Sequence, residues 1–212
     1  MLQLDQVSVR YGDHQALNGV SATIPQGRIT ILAGADGAGK SSLIRMLIGL
    51  APRTAGQVRL RGQELGRNIH HLTGITGYMP ERFSLYADLS VEENLLFFAR
   101  IHGLSRTTYA QRSSELLGRT GMEAFTHRRA GQLSGGMKQK LALSCILLAA
   151  PELILLDEPT TGVDPLSRIE FFSIIEELRN EGRTVVLATP YLDEAERGDR
   201  VLFLQKGVRV AE

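Results

Sequence analysis

Gly34-Ala35-Asp36-Gly37-Ala38-Gly39-Lys40-Ser41 sets a glycine, four residues and then Gly-Lys-Ser in a row, and the fold turns on this stretch. Upstream, Arg28 to Leu32 is an apolar run set off by Pro25-Gln26-Gly27 and predicts a strand. Downstream, Lys40 to Leu50 carries Leu43, Leu47 and Leu50 at helical spacing. Strand, glycine loop and helix in that order make a cradle for phosphate. The glycines let consecutive backbone N–H groups turn inward around an anion, and the helix beginning near Gly39 adds the positive end of its dipole. Lys40 is predicted to reach the β and γ phosphates as a point charge. The Ser41 hydroxyl can ligate Mg²⁺, and Ala38 and Ser42 complete the loop. A plain glycine turn explains Gly34, Gly37 and Gly39 but not why Lys and Ser follow in that register.

A loop of this kind needs a metal-side carboxylate at the end of a neighbouring buried strand. Leu153-Ile154-Leu155-Leu156 is a continuous apolar run, as expected of a strand buried on both faces, and it ends in Asp157-Glu158. Asp157 is the expected Mg²⁺-side residue, directly or through water. Glu158, one residue on, is expected on the opposite side of the strand's end, where it could take a proton from an attacking water.

Strands are also predicted at Leu2 to Val9, Val20 to Ile24, Gln57 to Arg61, Gly74 to Met79, Thr184 to Ala188 and Arg200 to Leu204. Helices are predicted from Ser90 onward, at Thr107 to Arg119, Gly135 to Ala149, Pro165 to Asn180 and Leu192 to Arg197. Ser90 with Glu93 reads as a capping box, and Lys206-Gly207 as a hairpin. Strands alternating with helices on either side of an all-helical insert predict an α/β fold with a mainly parallel sheet. The chain ending just past that hairpin predicts a domain taken from a longer polypeptide.

Composition narrows the classes. Twenty-four Lys and Arg against 23 Asp and Glu give a net charge of +1, so no polyanionic partner is signalled and no nucleic acid is expected. One cysteine, Cys145, excludes an internally disulfide-bonded scaffold. The longest apolar stretch, Leu141 to Ala150, is interrupted by Ser144 and falls well short of the ~20 residues of a membrane span. His14, His70, His71, His102 and His127 have no metal-binding spacing, and Arg128-Arg129 reads as a solvated patch.

Leu133-Ser134-Gly135-Gly136-Met137 is similar to the Leu-Ser-Gly-Gly-Gln signature of the ATP-binding-cassette (ABC) family. With Asp157-Glu158-Pro159-Thr160 and Gly162-Val163-Asp164 following in order, the chain resembles an ABC transporter nucleotide-binding domain over nearly its whole length. Met137-Lys138-Gln139-Lys140 resembles the ABC-2 exporter branch. The resemblance implies a P-loop NTPase core with an N-terminal antiparallel β subdomain (core 1–83 and 150–212) and a helical subdomain (84–149). It implies ATP and Mg²⁺ as ligands, with Glu158 as the catalytic carboxylate and Asp164 in the D-loop. Tyr11 falls where the family stacks an aromatic on adenine, although a strand-end tyrosine also commonly just packs. The family pairs two cassettes head to tail, so Ser134, Gly135 and Gly136 are expected to meet the partner's ATP. Ser134 at a helix start also fits an ordinary N-cap.

Two positions depart from the family pattern. Glu81 stands where the family has glutamine; a carboxylate ~4 Å from a phosphate charge meets about 4 kcal/mol of repulsion at an effective dielectric near 20, unless Mg²⁺ bridges them or Glu81 is protonated. Pro190 stands at the H-loop position, where the family has the histidine that contacts the γ-phosphate. Proline offers no donor, and losing one aimed at transition-state charge costs ~3 kcal/mol, roughly 10²–10³ in rate. This predicts ATP binding with slow hydrolysis, in a pair whose other cassette differs or shares the polypeptide. The alternative is that the Tyr191 hydroxyl takes over.

The expected partners are a second cassette and a membrane-spanning subunit or domain, placing the chain on the cytoplasmic face of the inner or plasma membrane. Phe83, Leu85 and Tyr86 are candidate contacts to that subunit, or core of the helical insert. A soluble cassette acting on ribosomes or DNA would be expected to show a long coiled-coil insertion or basic segments. A small-metabolite kinase would have no use for Leu133 to Met137.

Overall fold

A computed structural model describes residues 1–66, 72, 74–82 and 85–211. Phe83, His70 and His71 lie outside the described residues. In chain order the elements are β1 (Leu2–Tyr11), β2 (His14–Ile24), β3 (Ile29–Ala33), α1 (Lys40–Leu47), β4 (Arg53–Leu60), β5 (Gln63–Leu65) and β6 (Thr76–Met79). Then come α2 (Val91–Ile101), α3 (Arg106–Thr120), α4 (Gly135–Leu147), β7 (Leu153–Asp157), α5 (Pro165–Asn180), β8 (Thr184–Thr189), α6 (Leu192–Ala195), β9 (Arg200–Gln205) and β10 (Val208–Ala211).

Among the described residues the strands form two sheets. The larger runs β10-β9-β3-β8-β7-β6, parallel except for β10, which returns antiparallel on β9 through the Lys206-Gly207 turn. The smaller is antiparallel, β2-β1-β4-β5. Its register slips near Gln6 and Gly19, where the Ser21 and Ser8 hydroxyls catch the two main-chain N–H groups. Those bulges let β2 begin at His14, six residues before the Val20 expected from the sequence, and β5 had no sequence signal at all.

The central strands sort their side chains with period two. Ile154 and Leu156 of β7, with Val185 and Leu187 of β8, face the core shared with α4 and α5, where Phe171, Phe172 and Ile175 pack. Leu153, Leu155, Val186 and Ala188 face the other core, with Leu43, Ile44 and Leu47 of α1 and Leu2, Leu4 and Val9 of the small sheet. Every side chain of β7 is buried, which is why that run is apolar without alternation. Helix α1 stops at Leu47 rather than Leu50; Gly49 follows with a positive φ, and Leu50 is left exposed.

Side-chain caps fix where most helices start. Ser90, Ser105, Ser134 and Asp164 each accept a backbone N–H in the first turn of α2, α3, α4 and α5, and Ser90 with Glu93 forms the full capping box. The short α6 and the longer α1 have no side-chain cap bond, α1 starting after Gly39.

Candidate functional site

The loop between β3 and α1 wraps above the carboxyl end of β3. Gly39 sits at φ 108, and a Cβ there would lie 2.8 Å from the Ala16 carbonyl oxygen and 2.8 Å from Leu17, so only glycine lets β2 press against the loop. The uncapped first turn of α1 presents its amides and positive dipole end over this loop.

Above the loop lies a cavity of about 440 Å³ walled by His14, Ala16, residues 36–42, Glu81, Glu158 and Thr161. Gly37, Ala38, Gly39, Lys40, Ser41 and Ser42 thus share one wall, and Gly34 holds the loop from behind. The Lys40 ammonium donates to the Gly34 carbonyl at 2.7 Å and the Ala35 carbonyl at 3.1 Å, and pairs with Glu158 Oε1 at 3.1 Å. Lys40 is 3% exposed, so three oxygens offset the cost of burying its charge.

Ser41 donates its hydroxyl to Asp157 Oδ1 at 2.8 Å, joining α1 to the end of β7. The other carboxylate oxygen, Oδ2, is buried and has no hydrogen-bond partner among the described residues. Burial pushes the Asp157 carboxyl above its ordinary range. The Ser41 hydrogen bond and the Arg45 charge oppose that shift, while Glu158 and Glu81 add to it. A serine hydroxyl and an orphaned buried carboxylate oxygen are a hard-oxygen donor set that fits Mg²⁺.

Glu158 departs from the expectation of pointing away from Asp157. Strand alternation ends at Asp157, and Glu158 takes a left-handed φ of 51°, which returns its carboxylate to the loop beside Lys40 and within 3.5 Å of the Thr161 hydroxyl. Tyr11 is 41% exposed at the end of β1 and does not form the cavity wall; its cross-strand partner His14 does.

Ser134 caps α4, accepting the Met137 N–H at 3.3 Å, and is exposed together with Gly135. Gly136 is buried: a Cβ there would sit 2.4 Å from Ser167 on α5. Asp164 caps that same helix through the Ser167 N–H, a bond that holds its carboxyl below the usual range. The signature segment and the Asp164 segment are therefore packed as one surface.

Pro190 lies between β8 and α6 above a buried carboxylate that sequence reading did not assign. Glu194, 2% exposed, accepts the Thr160 hydroxyl on Oε1 and the Thr189 hydroxyl on Oε2, both at 2.6 Å. Arg168 of α5 donates to Oε1 at 3.0 Å through Nε and lies 2.8 Å away through its terminal nitrogen. Thr189 also accepts the Tyr191 N–H, and the Tyr191 ring lies 4.7 Å under the Arg168 guanidinium. Arg45, one turn past Ser41, is a second missed residue: its charge bears on both Asp157 and Tyr78, and its i+4 spacing from Ser41 was the available signal.

A second groove of about 310 Å³ separates the end of β6 from α4. Glu81, Arg82, Leu85, Ala87, Lys138 and Gln139 line it, so Glu81 borders both cavities. Leu85 also packs on the helical core, while Tyr86 is 45% exposed with its ring edge-on to Phe97 at 4.4 Å.

Known proteins are similar to this chain in sequence and fold. The ABC transporter family model matches residues 17–161. The probable multidrug ABC transporter ATP-binding protein YbhF of Escherichia coli (strain K12) is 44% identical over 195 residues, 92% of this chain and 34% of that protein. The Nod factor export ATP-binding protein I of Rhizobium sp. (strain N33) is 36% identical over 212 residues, all of this chain and 70% of that one. A dimeric ATP-binding cassette solved in a post-hydrolysis state with ADP and Pi superposes with a TM-score of 0.83 at 28% identity, over all of this chain and 97% of that chain. The chain thus spans about a third of the length of the multidrug relative. From the loop, the signature and the match across residues 17–161, this chain belongs to the ABC transporter family.

Proposed function

We propose that this chain is the ATP-binding unit of an ABC exporter, binding Mg·ATP at the Gly34–Ser42 loop and coupling it to a membrane-spanning partner. The observation that carries this is the joint geometry of Lys40, Ser41 and Asp157: a buried ammonium and an orphaned carboxylate oxygen on one glycine loop. The names of the multidrug and Nod factor relatives support the exporter class.

Lys40 and the α1 amides hold the β and γ phosphates, and Ser41 and Asp157 hold Mg²⁺, with Glu81 close enough to join them. Mg²⁺, when bound, supplies positive charge against the phosphate oxygens. Glu158, hinged on its left-handed turn, orients water and takes its proton on Oε2. Ser134 and Gly135, exposed at the start of α4, meet the nucleotide of a second cassette, and Asp164 lies on the same face. The groove at Arg82 and Lys138, with Tyr86 at its margin, receives the membrane-spanning partner at the cytoplasmic side of the membrane. Among the described residues no helix is long and apolar enough to cross a membrane.

Hydrolysis at this chain's own site is slow in this proposal. In the segment from Thr189 to Tyr191 the Thr189 hydroxyl is spent on Glu194 and Pro190 has no donor, which leaves the Tyr191 hydroxyl, on a ring held under Arg168, as the one side-chain donor in place of the family's histidine. That supports an asymmetric pair in which this chain's signature completes a competent site on a different cassette. Calorimetry on the full polypeptide tests the core of the proposal. With the phosphate-loop lysine of any second cassette substituted, heat of Mg·ATP binding is expected and should vanish when Lys40→Ala is added; no heat before that last substitution would overturn it.

A further inference from the structure

We infer that the cavity between α3 and the entry to β7 and β8 is a second ligand site, built for a small organic oxyanion. It lies at the edge of the parallel sheet opposite the glycine loop. Strand β7 reaches that loop at Asp157, whose partner is Ser41, and starts at the other edge, just after Pro151. There a cavity of about 260 Å³ opens between the helical insert and the core. Arg112 and Arg119 of α3 wall it on the insert side; Pro151, Leu178 and Arg183 wall it on the core side.

The arginines of this cavity are not alike. Arg119 is neutralised, pairing with Glu181 and, at 3.7 Å, with Glu177. Arg112 and Arg183 bond main-chain carbonyls instead. Arg112 Nη1 donates to Leu148 at 2.6 Å, and Arg183 Nη1 donates to Ala150 at 3.1 Å and Pro151 at 2.9 Å. Those carbonyls belong to one connection, from α4 to β7, so they fix both guanidiniums without cancelling either charge. Among the described residues neither arginine has a carboxylate partner, and the Nε–Nη2 edge of each has no acceptor. That edge is the one that grips a carboxylate or phosphate through two parallel hydrogen bonds.

Leu116, Leu147 and Leu178 add an apolar lining, which calls for an oxyanion carrying a small apolar body. The volume falls below the ~300–1,000 Å³ of pockets for drug-sized ligands, so the occupant is smaller than a nucleotide. Arg112 comes from the insert and Arg183 from the core, so a ligand held by both bridges the two. Glu115 also lines the cavity; it is exposed and accepts a hydrogen bond from Gln111 at 3.1 Å rather than from an arginine. Its charge opposes the ligand's.

The test titrates phenyl phosphate, benzoate and inorganic phosphate into the full polypeptide, with saturating Mg·ADP present to occupy the glycine loop. Arg112→Gln and Arg183→Gln are each expected to weaken the tighter aromatic probe about tenfold or more, as loss of a charged hydrogen-bonding partner does. Glu115→Gln leaves both arginines on their carbonyls and should strengthen it about threefold by removing a like charge. Which aromatic probe binds tighter separates a phosphate source from a carboxylate source. Inorganic phosphate, with no apolar body, is expected to bind about fivefold more weakly than phenyl phosphate. Binding of neither aromatic probe would overturn the inference, as would affinities unchanged in both the arginine variants and Glu115→Gln, the mark of arginines that only staple the connection. Inorganic phosphate binding as tightly as phenyl phosphate would overturn the organic class.

Discussion

Thr189 donates its hydroxyl to Glu194 at 2.6 Å, which turns the last polar side chain of β8 inward, and Pro190, which has no donor, follows it. Restoring a donor there should restore chemistry. Pro190→His is expected to raise ATP turnover at this site by about 10²-fold, the typical worth of one transition-state donor, while changing ATP affinity less than fivefold. Single-site turnover, with the partner site disabled, checks it; unchanged turnover would sink the explanation.

Glu81 borders both the cavity above the glycine loop and the groove beside α4. Its carboxylate should therefore make ATP binding depend on Mg²⁺ more steeply than an amide would. Glu81→Gln is expected to strengthen ATP binding in the presence of EDTA by roughly tenfold and to change Mg·ATP binding little. Titrations with and without the metal provide the comparison.

Gly136 leaves no room for a methyl group, since its Cβ would lie 2.4 Å from Ser167. Gly136→Ala should destabilise the protein by about 1–3 kcal/mol, as overpacked sites do, and Ser167→Gly in the same chain should recover much of that loss. A double-mutant cycle by urea unfolding measures the coupling; additive effects would contradict the contact.

Glu194, itself 2% exposed, holds two hydroxyls and the Arg168 guanidinium, which is 21% exposed and also pairs with Asp193 at 3.0 Å. Glu194→Ala strands the Thr160 and Thr189 hydroxyls and leaves Arg168 with Asp193 alone, and should cost about 1–3 kcal/mol. Thermal unfolding reads it, and a shift within error of the unsubstituted protein would show the cluster to be dispensable.

Asp199 accepts the Ile29 N–H at 2.8 Å and pairs with Arg28 and Arg179. Burial works to raise its pKa, but these partners outweigh burial and set the carboxyl below its usual value. A depressed folded pKa means the carboxylate's stabilisation is present above the unfolded value near 4 and is lost as pH falls through the lower folded value. Asp199→Asn should therefore be destabilising at neutral pH and show a flatter acid limb of melting temperature against pH.

The phosphate loop could be read from the sequence because its information is local: Gly34 to Ser41 carries its spacing and its flanking strand and helix within a few turns of chain. Asp157 was equally plain, since a strand buried on both faces announces itself as an unbroken apolar run. The Glu194 cluster was hidden because Thr160, Arg168 and Thr189 come from three separate elements, and nothing in a carboxylate's neighbours along the chain says which hydroxyls will meet it. Glu158 was misplaced for a local reason, a left-handed residue where alternation was assumed.

Helix α1 begins without any side chain closing its first turn, whereas α2 to α5 are each closed by a serine or an aspartate. An anion seated there would do for α1 what Ser90 does for α2, making the ligand a structural part of the domain as well as its fuel. Melting temperature should then climb with nucleotide concentration by mass action, so the amount of nucleotide in a cell would also set how long this domain stays folded.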